Sequence, residues 1–269
     1  MRRPSLLPSP LWGGVRGVEE AGTGVPRGTT PTPSLPHKGE GEETATPNAI
    51  ALHDKGSGMT TDDRSGHHLV TSIEALESIY GAPSGGAVVK EIDHVNAHYR
   101  AFIEAAPFCA MATCGPDGLD CTPRGDPPGF VRVKDEKTLL IPDRRGNNRI
   151  DSLRNLIADP RISLLFLIPG CGETIRVNGR AVISIERELC ASFIFAGKLP
   201  RSVIVVTVDR IYFQCAKAVV RSKLWDPATQ IDRRTLPSAG TILAGISEGA
   251  IGGPEHDRTA PERMMATIY

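Results

Sequence analysis

The sequence lacks most of the features that assign a protein to a class at a glance. It has no net charge, with 31 Lys and Arg against 31 Asp and Glu. That removes the broad positive field by which proteins hold nucleic acid or an anionic membrane. No apolar run approaches the ~20 residues that span a bilayer, and no compact apolar segment near the start ends at a small-residue cleavage site. A cytoplasmic protein is expected. The six cysteines, Cys109, Cys114, Cys121, Cys171, Cys190 and Cys215, include no CxxC pair and no dense framework of the secreted type. They are expected as free thiols. A phosphate-binding lysine loop of the Walker kind is absent, and no GxGxxG follows a strand pattern, so neither the P-loop nor the Rossmann way of holding a nucleotide applies. No Ser-His-Asp ordering or paired carboxylates mark a hydrolytic centre. His94 and His98 stand four apart, where a helix would put both on one side, but no further ligands accompany them. A solvated helix face is expected there, and no metal.

What is present suffices for a packed core: 269 residues, 40% of them apolar. The first 58 residues differ from the rest, with eight Pro and ten Gly, a composition that predicts disorder. Within them "PTPSLPHKGEGE" and "PSPLWGGVRG" are related in an unusual way. Pro36 to Gly41 can be encoded so that the opposite DNA strand, shifted by one base, reads Pro8 to Gly13. The expectation is a translated inverted repeat ahead of a true start at Met59. Beyond it, the chain divides into N-terminal helices over 59–106, a β-rich body over 107–236, and a C-terminal helix and tail over 237–269.

The periodicity supports that division. Apolar residues recur at helical spacing over 71–80 and again over 88–105, where Ile92, Val95, Tyr99, Phe102 and Ile103 fall near one stripe. After Pro107 the texture becomes short β-type runs. "FCAMATC", "GPDG" and "LDCTPRG" read as a hairpin, and "FVRVKD" with "TLLIPD" as a second, hinged at Glu136-Lys137. "RISLLFLIP" is apolar enough for a strand buried on both faces. Further strands are expected over 174–185 and 202–215 with a helix over 186–196 between them, and a short helix over 238–247. Strands at short intervals with occasional helices predict a small, mainly β, antiparallel barrel.

One stretch breaks the charge balance locally. "PDRRGNNRIDSLRNLIADP" gathers Arg144, Arg145, Arg149 and Arg154 about the start of a helix whose apolar face is Ile150, Leu153, Leu156 and Ile157, and which Asp159-Pro160 stops. With Asn148 as N-cap, Asp151 falls at the third helical position, a capping-box-like start. Such a helix start offers unpaired N–H groups and positive dipole to an anion, and arginines add charge-assisted bonds. Two readings stand side by side: a phosphate site, or arginines that pair with Asp143, Asp151 and Asp159 and only solvate a helix end. "CTPRGDPPGF" on the preceding hairpin adds Arg124-Gly125-Asp126 at a strand end, where a turn-stabilising Arg–Asp pair is the plainer alternative.

The order of "TPRGDPPGF", "TLLIPDRRGNN", "RIDSLRNLIADP" and "RISLLFLIPG" resembles the pyridoxamine 5′-phosphate oxidase-like group of FMN-binding split-barrel proteins, over roughly residues 75–257. "NLIADPRISLLF" and "FQCAKAVVRSKLWDP" are its most specific parts, the latter like one bacterial branch rather than the vitamin-B6 oxidase itself. The resemblance implies a split barrel of about six strands, a homodimer, and FMN in the groove between subunits. It implies that Arg124, Arg144, Asn147, Asn148, Arg149 and Ser152 serve the FMN phosphate and ribityl chain, and that the strand end from Ile141 to Asp143 runs along the flavin edge. Typical members carry an Arg-Lys pair inside the helix start, where this chain has Asp151 and Ser152.

Lys217, Arg221 and Trp225 follow the last long strand at four-residue steps. Lys217 or Arg221 is the candidate cation beside the flavin N1 and C2 oxygen, where it would stabilise the anionic reduced ring. Trp225 is the candidate cover for ring or substrate, and a dimer-interface strand with a packing Trp is the alternative for all three. The function implied is an FMN-dependent oxidoreductase acting between a small molecule and an acceptor. The substrate-binding residues of the vitamin-B6 oxidase are not recognisable in "RSKLWDPATQIDRR". A non-catalytic flavin or haem carrier on the same barrel is the alternative, and a deazaflavin-dependent reductase a third reading.

Overall fold

The structure, a computed structural model, describes residues 69–269. The expected tail and the start at Met59 lie outside the described residues. Three helices open the described part: α1 (Ile73–Tyr80), α2 (Gly85–Val89) and α3 (Ala97–Ala105). The single helix expected over 88–105 is therefore broken. Between α2 and α3 the backbone of Ile92 is claimed by a long strand: Ile92 N donates to Ile211 O at 3.0 Å, and Ile211 N to Ile92 O at 2.8 Å. Asn96 then restarts the helix, its side chain accepting from Tyr99 N at 2.9 Å. The stripe still does its work, since Val95, Tyr99 and Ile103 enter the core. His94 falls outside α3 and bonds Asp93 at 2.9 Å, so the two histidines do not share a helix face.

Seven strands follow as one antiparallel sheet. They are β1 (Phe108–Gly115), β2 (Gly118–Gly125), β3 (Arg132–Asp135), β4 (Thr138–Asp143), β5 (Arg161–Leu167), β6 (Thr174–Ser184) and β7 (Ser202–Gln214), in the order β2-β1-β5-β6-β7-β4-β3. Both hairpins form where the turn residues put them. Gly115 pairs with Gly118 around Pro116-Asp117, and Asp135 pairs with Thr138 around the Glu136-Lys137 hinge. In β5, Ile162, Leu164 and Phe166 are buried, while the opposite face is half-buried rather than sealed. Each such side chain contributes roughly 1.5–3 kcal/mol by leaving water. β6 shifts register against β7 at Asn178/Gly179, and a Cβ on Gly179 would run into the Thr207 carbonyl of β7.

The sheet closes on itself. Arg124 on β2 bonds Asp143 on β4 at 2.8 Å, although β1, β5, β6 and β7 lie between those two strands in the sheet order. Only a curled sheet brings them together, which is the antiparallel barrel expected from the strand spacing and the split barrel that the resemblance implies. Helix α4 (Asp151–Ala158) crosses from β4 to β5 and lies on β1, where Asn155 Nδ2 donates to Thr113 Oγ1 at 3.1 Å. Helix α5 (Arg187–Ser192) separates β6 from β7. Past β7 come α6 (Lys217–Ser222), α7 (Ala239–Ile246) and α8 (Gly253–Thr267). Helix α7 stands where "SAGTILAGIS" puts it, capped by Ser238. The stretch after it is no mere tail: α8 runs fifteen residues through Pro261, a residue that ordinarily argues against a helix interior.

Candidate functional site

Register decides which residues meet. β4 pairs Asp143 with Ser202 at the start of β7, and β6 pairs Ser184 with Val203, so the ends of three strands converge at one rim of the barrel. The end of β2 joins them through Arg124. Between these ends and the start of α4 lies a cavity of about 830 Å³. Five arginines line it, Arg124, Arg144, Arg145, Arg149 and Arg201, against three aspartates, Asp120, Asp143 and Asp151. Phe130, Ile183 and Ile185 add an apolar wall. A chain neutral overall thus has a cationic excess at this one rim.

The loop into α4 is folded for the purpose of neither cap nor strand. Asn147 Oδ1 accepts from Arg149 N at 3.1 Å, and both Asn148 (φ 62°) and Ile150 (φ 54°) are left-handed. For a β-branched residue this conformation costs about 1–2 kcal/mol. Helix α4 therefore begins at Asp151 with Ile150 flanking it, and no side chain caps it. Asn148 is not the N-cap and Asp151 is not the third helical residue, because Asn147 has already drawn the chain into a turn one step earlier. The first-turn N–H groups are left without a capping side chain. Asp151 instead takes Arg149 Nε at 2.7 Å, which raises the Arg149 pKa first through that hydrogen bond. Ser152 Oγ donates to Asp120 Oδ2 at 2.8 Å, and Arg201 Nη1 to Asn148 Oδ1 at 3.3 Å.

Arg124 and Arg144 form crossed pairs. In sequence each lies beside an aspartate of its own segment, Asp126 and Asp143, yet each bonds the other's. Arg124 Nη1 donates to Asp143 Oδ1 at 2.8 Å, and Arg144 Nε to Asp126 Oδ2 at 2.7 Å. The turn-stabilising Arg124–Asp126 pair is thereby replaced by two bonds that tie β2 to β4. One donor is left over: Arg124 Nε is buried and has no acceptor among the described residues. A buried unpartnered donor costs roughly 1–3 kcal/mol, more when charged. An uncapped helix start, a surplus of guanidinium groups and an orphaned donor together fit a phosphate monoester. Cys109, opposite Arg124 on β1, is not a nucleophile, for burial pushes its thiol up to about 12.

A smaller cavity of about 210 Å³ adjoins the first. Arg144, Arg145, Lys198, Leu199, Arg201 and Tyr269 line it, with no Asp or Glu side chain among them.

Of the residues singled out in sequence, Arg124, Asp143, Arg144, Asn147, Asn148, Arg149 and Ser152 all border the larger cavity. Ile141 does not: its side chain is fully buried and its neighbour Pro142 forms the wall instead. Arg154 is exposed and away from the cavity. Lys217, Arg221 and Trp225 lie past the far end of β7, a thirteen-residue strand, and so roughly 40 Å from its Ser202 end. Lys217 and Arg221 sit on α6, and Trp225 Nε1 donates to Cys171 O at 2.6 Å. Sequence reasoning missed Asp120, Lys198, Arg201 and Tyr269. A basic residue after Pro200 at a strand start was a faint signal for Arg201, and nothing local marked Tyr269.

Residues 95–215 match the family model described as pyridoxamine 5′-phosphate oxidase. No curated protein matches the chain significantly. Among solved structures, HupZ of Group A Streptococcus aligns over 44% of this chain and 91% of its own at 18% identity, with a TM-score of 0.37. General stress protein 26 of Bacillus anthracis aligns over 42% and 88% at 18% identity, TM-score 0.32. A Clostridium acetobutylicum protein related to general stress protein 26 aligns over 44% and 86% at 11% identity, TM-score 0.35.

Proposed function

We propose that this barrel, which belongs to the pyridoxamine 5′-phosphate oxidase-like family of flavin-binding, oxidoreductase-type folds, holds FMN at the cationic rim and serves a redox reaction of a small molecule. The observation that carries the proposal is the leftover donor capacity beside α4: the buried Nε of Arg124 and the uncapped first turn, ringed by guanidinium groups. Bound FMN would supply hydride or electron transfer. The chain's own residues supply the rest. Arg124, Arg144 and Arg149 neutralise the phosphate, while Asn147, Asn148 and Ser152 offer polar groups to the ribityl chain. Pro142 and Asp143 flank the ring, and Phe130, Ile183 and Ile185 keep water from it. The smaller cavity, with four cationic side chains and no Asp or Glu in its lining, suits an anionic group on the substrate.

A homodimer is part of the proposal. Val182 and Ile185, near the cavity mouth, are exposed apolar side chains, the kind of surface a second copy covers. A second copy would also be the source of Lys217 and Arg221 beside the flavin, since those of the same chain stand at the other end of β7. A haem carrier is less well supported, because the described residues lining the larger cavity include no His, Cys, Met or Tyr to ligate iron. The absorption spectrum of the purified protein tests the proposal. A flavin doublet that bleaches with NADH or NADPH is the expected result. A Soret band, or a colourless protein that rejects added FMN, would sink it.

A further inference from the structure

Tyr269 lies 143 residues from Asp126 in sequence, yet its hydroxyl donates to Asp126 Oδ1 at 2.8 Å. The Asp126 carboxylate is 2% exposed, and its other oxygen takes Arg144 Nε at 2.7 Å. Arg144 is fixed a second time by Nη1, which donates to Phe193 O at 2.9 Å. Its guanidinium lies within 6 Å of two ring centroids, 5.8 Å from Phe195 and 5.9 Å from Tyr269, and those rings are 4.8 Å apart. Arg144 thus has two of its three nitrogens committed, Nε to Asp126 and Nη1 to Phe193, and it borders both cavities.

We infer that Tyr269 is a positioning residue for the cationic rim: by completing the hydrogen bonds of Asp126 it locks the guanidinium of Arg144 in the orientation that serves an anion in the two cavities. This rests on the phosphate-site reading for its consequence, though the clamp itself does not. A buried carboxylate with two strong donors holds its partners in one geometry, whereas one left short of a donor draws its remaining cation toward itself. The two aromatic rings close the other side, leaving Arg144 little room to swing. Helix α8 carries Tyr269 to this place, which gives that polar segment a use the core does not. Burial, then the neighbouring carboxylate, raises the phenol's pKa, with Arg144 opposing; Arg145, Lys198 and Arg201 line the same cavity. The raised value keeps the hydroxyl a donor below pH ~10, the clamp being lost as pH rises through it.

The experiment is a double-mutant cycle on FMN affinity with Tyr269→Phe, which keeps the ring, and Arg144→Gln. Tyr269→Phe alone is expected to weaken FMN about three- to tenfold, and to add nothing in the Arg144→Gln background. The same loss in both backgrounds, or no loss in either, would overturn the inference, since packing alone would then explain the contact. If the unaltered protein binds no FMN, the functional proposal fails, and hydrogen exchange then decides the clamp. Faster exchange over 265–269 in Arg144→Gln sustains it, and unchanged exchange refutes it.

Discussion

The two ends of β7 carry similar residues and treat them differently. At the Ser202 end, arginines border an open cavity, with a left-handed loop and an uncapped helix between them. At the Gln214 end, Lys217 and Arg221 ride on a six-residue helix, and Trp225 is tied to the Cys171 carbonyl. A cation becomes part of a site when the backbone around it leaves donors unmet and space in front of them. Helix α6 is likewise without a capping side chain, but neither cavity opens in front of it, and within one chain Lys217 and Arg221 face solvent.

Four substitutions probe that contrast. The largest effect is expected at Arg124, whose removal takes away a buried donor and frees Asp143. Arg124→Ala should raise the FMN dissociation constant about a hundredfold, read by quenching of flavin fluorescence. Retention of FMN by this variant would move the site elsewhere. Next comes the pair Arg149→Ala and Arg154→Ala. The first should weaken FMN about tenfold and the second not at all, because only Arg149 borders the cavity; equal dissociation constants would dissolve the distinction between helix start and helix flank. The smallest effect belongs to the far end. Trp225→Phe keeps an aromatic side chain but loses the bond to Cys171 O, and should lower stability by about 0.5–1.5 kcal/mol, measured as a urea midpoint. An unchanged midpoint would mean that the far end is no more fixed than the rim.

The hairpins, the arginine-rich helix and the strands at 174–184 and 202–214 were legible because each is signalled locally, by alternation, turn residues or a stopping proline. The helix over 88–105 was misread because its spacing is compatible with a helix throughout, and only the demand of Ile211 for a partner at Ile92 breaks it. The cap at Asn148 was misread for a related reason. Asn147 and Asn148 are both good caps by residue type, and which of them turns the chain depends on where β4 delivers it. Helix α8 was missed because Pro261 and its polar composition argue against a helix when nothing is known of its neighbours.

The sequence by itself determined that the chain is neutral, β-rich and locally basic before one short helix, since composition and period-two alternation are properties of neighbours along the chain. It also supplied the residues of the rim, Arg124, Arg144 and Arg149 among them. Tertiary structure alone decided the crossed pairing of Arg124 with Asp143 and Arg144 with Asp126, the orphaned Nε, and the arrival of Tyr269 from the far end of the sequence. Those are contacts between segments brought together by strand register and the curl of the sheet. Short-range patterning carries no record of them, because the free energy that selects them resides in the packed barrel as a whole.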